Sequence, residues 1–374
     1  MPARWPWSTS SSRRPPSTGS ASRPAPRRAE PRRRRPPPAP AHRLHALRTP
    51  ERPARRRRHP ARDPSRGLEL MSKNIAVIGL GIMGLPMATN LVGAGFAVTG
   101  YNRSPEKTRA LAEAGGTAAD SIAQAVAGAD VIITMVPDSP DVEAVLTGED
   151  GILAHAEAGA HWIDASTIRP DTAIALAAQA REAGLKPLDA PVSGGEQGAI
   201  DAALSIMVGG EQADVDAVQD VLDAIGRTIV RVGPSGSGQT VKAANQLIVA
   251  VNIQALAEAV GFLEAYGVDT DAALQVLGGG LAGSKVLDQK GRKMLDRSFD
   301  PGFRLQLHHK DMGIVTSAAR EAGVATPLAA SVAQLVAATV QQGNGHLDHS
   351  GLFTLVEQLS AVPAETAGDS GAAA

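Results

Sequence analysis

Lys242, Asn245 and Gln246 occupy positions i, i+3 and i+4 of an apolar stretch, so a helix there puts all three on one face. Around them stand Val241, Leu247, Ile248, Val249, Val251, Ile253 and Leu256. A lysine and two amides buried in such company need partners or a task. A protonated Lys242 suits the delivery of a proton to a carbonyl oxygen as hydride reaches the carbon. An amide at Asn245 or Gln246 would hold that lysine in place. The plainer alternative is a lysine snorkelling from a helix start. The glycine-rich run Gly233-Pro234-Ser235-Gly236-Ser237-Gly238 just before it implies close approach by another backbone or a ligand.

A second constellation lies near the start of the apolar body. Ile75-Ala76-Val77-Ile78 reads as a buried parallel strand. Gly79-Leu80-Gly81-Ile82-Met83-Gly84 follows, and a helix is expected from Leu85 to Ala94 with Pro86 in its first turn. This is G-x-G-x-x-G in its required context. The glycines permit the tight turn, the approach of a pyrophosphate and close helix–strand packing. The helix N-terminus adds N–H groups and partial positive charge for the phosphates. The next strand, Phe96–Tyr101, ends in Asn102-Arg103-Ser104, with no Asp or Glu to bind ribose hydroxyls. Arg103 and Ser104 suit a 2′-phosphate instead, so NADP(H) is expected in preference to NAD(H).

These residues need a scaffold, and the strand pattern supplies one. Val131–Met135 opens into Val136-Pro137-Asp138, His161–Ala165 into Ser166-Thr167, and Leu185–Ala190 into Pro191-Val192-Ser193-Gly194-Gly195. Ligands in parallel sheets sit beyond such carboxyl ends. Asp164 and Asp189 are read as capping or loop hydrogen-bond acceptors. Two further strands, Ser205–Val208 and Thr228–Val232, are expected with a helix between them. Gln239–Tyr266 is expected as a long helix buried all round, between domains or subunits. Helices follow around Ala272–Leu277, Val286–Asp296, Leu307–Ala322, Leu328–Gln342 and Ser350–Leu359. The fold class is α/β: a Rossmann-like dinucleotide-binding domain joined by a long helix to an all-helical C-terminal domain. The expected division is a leader over 1–70, a nucleotide-binding domain over 71–235, the connecting helix over 236–266, a helical domain over 267–361 and a flexible tail over 362–374.

Charge separates the leader from the body. Residues 1–70 hold 19 Arg, no Lys and four acids, a balance of +15, while the rest of the chain balances at -16. Fifteen of the 26 prolines also precede Met71. Such a leader lacks the apolar content for a core and is expected to be disordered. It reads as a nucleic-acid arm, as an Arg- and Ser-rich transit peptide, or as residues ahead of a translation start at Met71. Fifteen prolines count against the helix a transit peptide needs. The acidic body suggests neither nucleic-acid nor membrane binding. The chain has no cysteine, which excludes disulfides and a thiol nucleophile and fits a cytoplasmic, reducing compartment. His308, His309, His346 and His349 form no ligand-like cluster with acids, so no metal site is expected.

Four ordered motifs carry a resemblance. Gly79 to Leu91 resembles the cofactor signature of the β-hydroxyacid dehydrogenase family. Asp189-Ala190-Pro191-Val192-Ser193-Gly194-Gly195 resembles its substrate loop, Gly236 to Gln246 its catalytic-lysine motif, and His309-Lys310-Asp311 its lysine–aspartate pair. Gly278 to Asp288, Pro301-Gly302-Phe303-Arg304 and Asp348-His349-Ser350 are similar to the branch that reduces tartronate semialdehyde. The resemblance implies reduction of that semialdehyde to D-glycerate, with 3-hydroxyisobutyrate or another short β-hydroxyacid as the alternative substrate. It implies that Ser193, Gly194 and Gly195 hold the substrate carboxylate and that Lys242 is the acid–base residue, with Asn245 and Gln246 beside the substrate. It also implies that Val136, Pro137 and Thr167 touch the cofactor while Lys310 closes over the nicotinamide. A homodimer or homotetramer is expected. A reading of another class is a non-enzymatic, nucleic-acid-associated protein using the basic leader; the intact Lys242 motif counts against it.

Overall fold

The computed structural model describes residues 73–360. The leader over 1–70, the start at Met71 and the tail over 362–374 lie outside the described residues. Strands β1 (Asn74–Ile78), β2 (Ala97–Tyr101), β3 (Thr117–Ala119), β4 (Val131–Thr134), β5 (His161–Asp164) and β6 (Lys186–Asp189) are parallel, in spatial order β3-β2-β1-β4-β5-β6. That order reverses between β1 and β4, where doubly wound folds open their ligand crevice. The register Ile78↔Thr134↔Asp164↔Asp189 brings four carboxyl ends level. Beyond β6, strand β7 (Val192–Ser193) and β6 pair antiparallel with β8 (Leu204–Gly209). Strand β9 (Gly226–Gly233) runs parallel to β8 at the edge.

Alternation along β1 shows why both faces are covered. Ile75 and Val77 pack with Met87, Leu91 and Val208 on one face. Ala76 and Ile78 pack with Ile132, Leu146 and Trp162 on the other. Each fully buried aliphatic side chain contributes about 1.5–3 kcal/mol, so a strand apolar on successive residues is stable only between two helical layers. Two strands escape the sequence pattern. β3 is Thr117-Ala118-Ala119, with no apolar run to mark it, and β7 is a two-residue strand inside the expected substrate loop. The helix expected between β8 and β9 is two short ones, Gln212–Ala217 and Gln219–Asp223.

The long helix spans Ser237–Ala265, about 44 Å at 1.5 Å per residue. It is the spine of the helical part. Ala250, Ile253, Ala257 and Val260 pack with Met294, Met312, Val315, Val336 and Phe353. These partners come from helices Lys285–Leu295, Leu305–Glu321, Pro327–Gln341 and Leu352–Ser360, which with Thr270–Gly279 match the five expected helices to within a few residues. The expectation that the spine is buried all round is corrected. Ile248 is 57% exposed and Phe262 63% exposed. The neighbouring helices cover one side of the rod and leave an apolar flank open.

Two of the branch motifs, Pro301–Arg304 and Asp348–Ser350, meet in one knot. The buried Asp348 carboxylate accepts from Gly302 N (3.0 Å), Phe303 N (3.2 Å) and Ser350 Oγ (2.7 Å), and pairs with Lys290 Nζ at 3.0 Å. Removing one partner of such a buried pair leaves an uncompensated charge. Pro301–Arg304 and Asp348–Ser350 therefore serve the helical core.

Candidate active site

The glycine turn lies at the carboxyl end of β1. Gly79 has φ +99°, and a Cβ there would collide with Met135 O; a Cβ on Gly84 would collide with Gly79 O. Side chains at either position would push the turn off the sheet. A Cβ added to Gly81 would meet nothing within 4 Å, so that side of its backbone faces open space ahead of helix Gly84–Gly93. A pyrophosphate fits that cradle beside the helix N-terminus. Leu80 turns its side chain into the core, and its N–H donates to Asn102 Oδ1 at 3.0 Å. That bond ties the end of β2 to the glycine turn. Ile82 is exposed and Met83 half-buried. Asn102 Nδ2 reaches Ser104 O at 3.3 Å. The Arg103 side chain is 82% exposed, and among the described residues its ion-pair partner is Asp141 Oδ1 at 4.0 Å.

Lys242 is 7% exposed, on the first turns of the spine. Its Nζ donates to Val192 O at 2.7 Å, next to Ser193 and the φ-positive Gly194 and Gly195. Thus the amine lies against the loop read from the sequence as the substrate loop. Snorkelling is excluded by this burial. The expectation that Asn245 or Gln246 holds the amine is also corrected: the Val192 carbonyl does. Asn245 Nδ2 donates to Gln246 Oε1 at 2.8 Å, and Gln246 Nε2 donates to Asp311 Oδ2. The Gln246 amide is spent inside the protein. Burial pulls the Lys242 pKa down from 10.5 to about 8; Asp311 opposes this and Lys310 adds to it. Asp311 is a buried acid that the sequence reading quoted but gave no role. Its distance along the chain from Lys242 hid it.

Lys310, on helix Leu305–Glu321, donates to Thr167 O at 2.6 Å and lies 2.9 Å from Asp311 Oδ1. Its side chain is 18% exposed. Val136 N donates to Ser166 Oγ at 3.0 Å, so the Val136-Pro137 turn and the Ser166-Thr167 loop are joined. The carboxyl ends of β1, β4 and β5, the Val192–Gly195 loop and two helices of the helical part thus converge.

Asp164 and Asp189 hold this end of the sheet, as the sequence reading expects. Asp189 accepts from Gly236 N (2.7 Å) and Gln239 N (2.9 Å), fastening the start of the spine to β6. A Cβ on Gly238 would strike Met207 O and Asp189 O; this is the close approach the glycine run requires. Asp164 Oδ1 accepts from Thr134 Oγ1 (2.8 Å) and Ser166 N (3.2 Å), while Oδ2 is buried with no hydrogen-bond partner among the described residues. Burial, only partly opposed by the Ser166 and Thr134 hydrogen bonds, raises its pKa from 3.8 to about 6. Between those values the unfolded chain loses this proton first, so the stabilisation is complete below pH 4 and lost above pH 6. At roughly 1.4 kcal/mol per unit, ionised Asp164 costs about 3 kcal/mol. Asp164→Asn keeps the Oδ1 acceptor and removes that cost. The variant is expected to melt higher than wild type at pH 8, with the gap closing by pH 4. A gap of the same size at both pH values refutes this.

Residues 74–233 match the family model for the NAD-binding domain of 6-phosphogluconate dehydrogenase, and residues 236–356 match that for the NAD-binding region of NADP-dependent 3-hydroxyisobutyrate dehydrogenase. The 2-hydroxy-3-oxopropionate reductase of Escherichia coli K12 is 40% identical over 286 residues, covering 76% of this chain and 98% of that one. The NAD-dependent L-serine dehydrogenase of Pseudomonas aeruginosa is 36% identical over 294 residues, 77% and 97% of the two chains. Among solved structures, Mycobacterium tuberculosis 3-hydroxyisobutyrate dehydrogenase with L-serine superposes with a TM-score of 0.71 at 34% identity, covering 76% of this chain and 99% of that one.

Proposed function

The chain belongs to the 3-hydroxyisobutyrate dehydrogenase-like β-hydroxyacid dehydrogenases, and from that premise we propose that it reduces tartronate semialdehyde to D-glycerate, preferring NADP(H) over NAD(H). It is an oxidoreductase acting on the CH–OH group of hydroxyacids, with a nicotinamide dinucleotide as cofactor. The observation that carries the reading is Lys242: a buried amine, held by Val192 O beside the Ser193–Gly195 loop.

The reduced dinucleotide supplies the hydride. Gly79–Gly84 would hold its diphosphate, Asn102, Arg103 and Ser104 its adenosine end, and Val136, Pro137 and Thr167 the rest. Ser193, Gly194 and Gly195 hold the substrate carboxylate through N–H groups and a hydroxyl, which sets the aldehyde carbonyl beside Lys242. As negative charge develops on the carbonyl oxygen, Lys242 Nζ donates a proton to it, and the alkoxide never forms in full. In oxidation the neutral amine takes the proton back. Lys310, bonded to Thr167 O, closes the helical part over the nicotinamide end. Charge on Asp311 keeps the protonated amine accessible in spite of its burial.

The resemblance of Gly278–Asp288, Pro301–Arg304 and Asp348–Ser350 to the tartronate semialdehyde branch, together with the 40% identical reductase relative, supports tartronate semialdehyde as the first substrate to test. The test is a panel of tartronate semialdehyde, methylmalonate semialdehyde, succinate semialdehyde and glyoxylate, with L-serine and 3-hydroxyisobutyrate in the oxidative direction. Tartronate semialdehyde is expected to have the highest kcat/KM. A higher value for another member reassigns the substrate. The homodimer or homotetramer expected from the sequence belongs to the same proposal, supported by the open apolar flank at Ile248 and Phe262; sedimentation as a monomer removes it. A cytoplasmic location is also part of it, checked by fractionation.

A further inference from the structure

The Ser166–Ile168 segment is held at three successive residues by helices that do not belong to the sheet. Gln239, on the spine one turn before Lys242, is 1% exposed. Its Nε2 donates to Ser166 O at 2.8 Å and its Oε1 accepts from Ile168 N at 3.1 Å. Lys310 Nζ takes Thr167 O between them. The Gln239 N–H itself is fixed on Asp189 Oδ2. One primary amide therefore spans two backbone groups of the segment and rides on the same helix as the buried amine.

We propose that Gln239 is a positioning residue that sets the spacing between the cofactor-facing Thr167 loop and Lys242. The proposal rests on the reading of Lys242 as the acid. Proton and hydride must arrive at adjacent atoms of one carbonyl, and displacements below an ångström are costly in rate. The segment carries the hydride side of that geometry and the spine the proton side. The Gln239 amide joins them directly, through one bond at its nitrogen and one at its oxygen. The sequence hid this: glutamine at the start of a helix reads as an ordinary polar residue.

Gln239→Glu tests the idea through its pH dependence. A neutral carboxylic acid offers one O–H donor and one carbonyl acceptor, the pattern of the amide. A carboxylate offers two acceptors and repels Ser166 O. Burial raises the pKa of such a glutamate, so lowering the pH restores the bridge. In the full chain at pH 8, kcat for Gln239→Glu is expected to fall roughly ten- to a hundredfold, with the substrate KM within about twofold of wild type. Between pH 8 and pH 5.5 its kcat relative to wild type should recover at least about fivefold. Gln239→Leu, which has neither donor nor acceptor, should show the same loss with no recovery. The charged groups facing position 239 are Asp189, which accepts from its N–H, Asp164, Lys242 and Lys310. The ratio to wild type removes the titrations common to both proteins, and Gln239→Leu measured over the same pH range shows what remains of them when no carboxyl is added.

A ratio independent of pH, or wild-type kcat in both variants, overturns the proposal. So does failure of both variants to fold at pH 8 by circular dichroism, since the bridge is then a requirement of the fold and not of the spacing. Lys242→Ala is assayed alongside. If it stays active, the acid–base reading fails. In that case NADPH affinity, read by fluorescence with no turnover, still tests whether the Gln239→Glu loop is restored at low pH.

Discussion

Replacing Lys242 by alanine is expected to lower kcat by about 10²–10⁴, the usual worth of general acid catalysis, while NADPH affinity stays within a few-fold of wild type. On the proposed reading the diphosphate sits at Gly79–Gly84, while the Lys242 amine is bonded to Val192 O, so the two effects separate. Lys242→Arg should fail as well, since a guanidinium does not give up its proton near neutrality. The wild-type pH profile gives a second check on the same amine. With burial setting its pKa at about 8, the protonated form that serves reduction is lost as pH rises through 8. The neutral form that serves oxidation is gained over the same interval. The reductive kcat should therefore fall, and the oxidative kcat rise, across pH 7–9. Profiles moving in the same direction in both reactions argue against Lys242 as the group that exchanges the proton. Folded Lys242→Ala retaining more than a tenth of wild-type kcat refutes the role outright.

Arg103→Ala is expected to weaken NADPH binding by roughly 1.5–3 kcal/mol, the scale of a hydrogen bond to a charged group, and to leave NADH nearly untouched. The geometry favours this test. Asn102 is tied to Leu80 N, which fixes the end of β2 against the glycine turn. Arg103 follows it with its side chain in solvent and a 4.0 Å approach to Asp141 as its one ion pair among the described residues. An exposed pair of that kind is worth little, so the guanidinium is free to turn to a phosphate. No carboxylate stands at the end of β2 to repel that phosphate. Equal changes in KM for the two cofactors would show that Arg103 does not read the 2′-phosphate.

The amino-acid sequence alone determined the local and periodic features. Ile75–Ile78 before Gly79-Leu80-Gly81-Ile82-Met83-Gly84 announces a strand, a turn and a helix, because β-branched runs and glycines act on their immediate neighbours. The alternation after it dictates a parallel sheet, and the i, i+3, i+4 spacing puts Lys242, Asn245 and Gln246 on one helical face. What lacks a periodic signal was not legible: Thr117–Ala119 has too little apolar character to read as a strand, and Val192–Ser193 is too short.

Partners far apart in the chain were decided only by the tertiary structure. The i, i+4 face says that Lys242 and the amides are neighbours. It cannot say that the amine goes to Val192 O, 50 residues away, or that Gln246 goes to Asp311, 65 residues away. The same holds for Asp348, which draws Lys290, Gly302 and Phe303 into one knot, and for the Gln239 bridge across 73 residues. Most buried polar groups have a partner, so the residue type points to one. Which partner it is depends on how sheet and helices pack. The burial that lowers the Lys242 pKa and raises that of Asp164 arises in the same way, from water excluded by residues that the chain brings together only when folded.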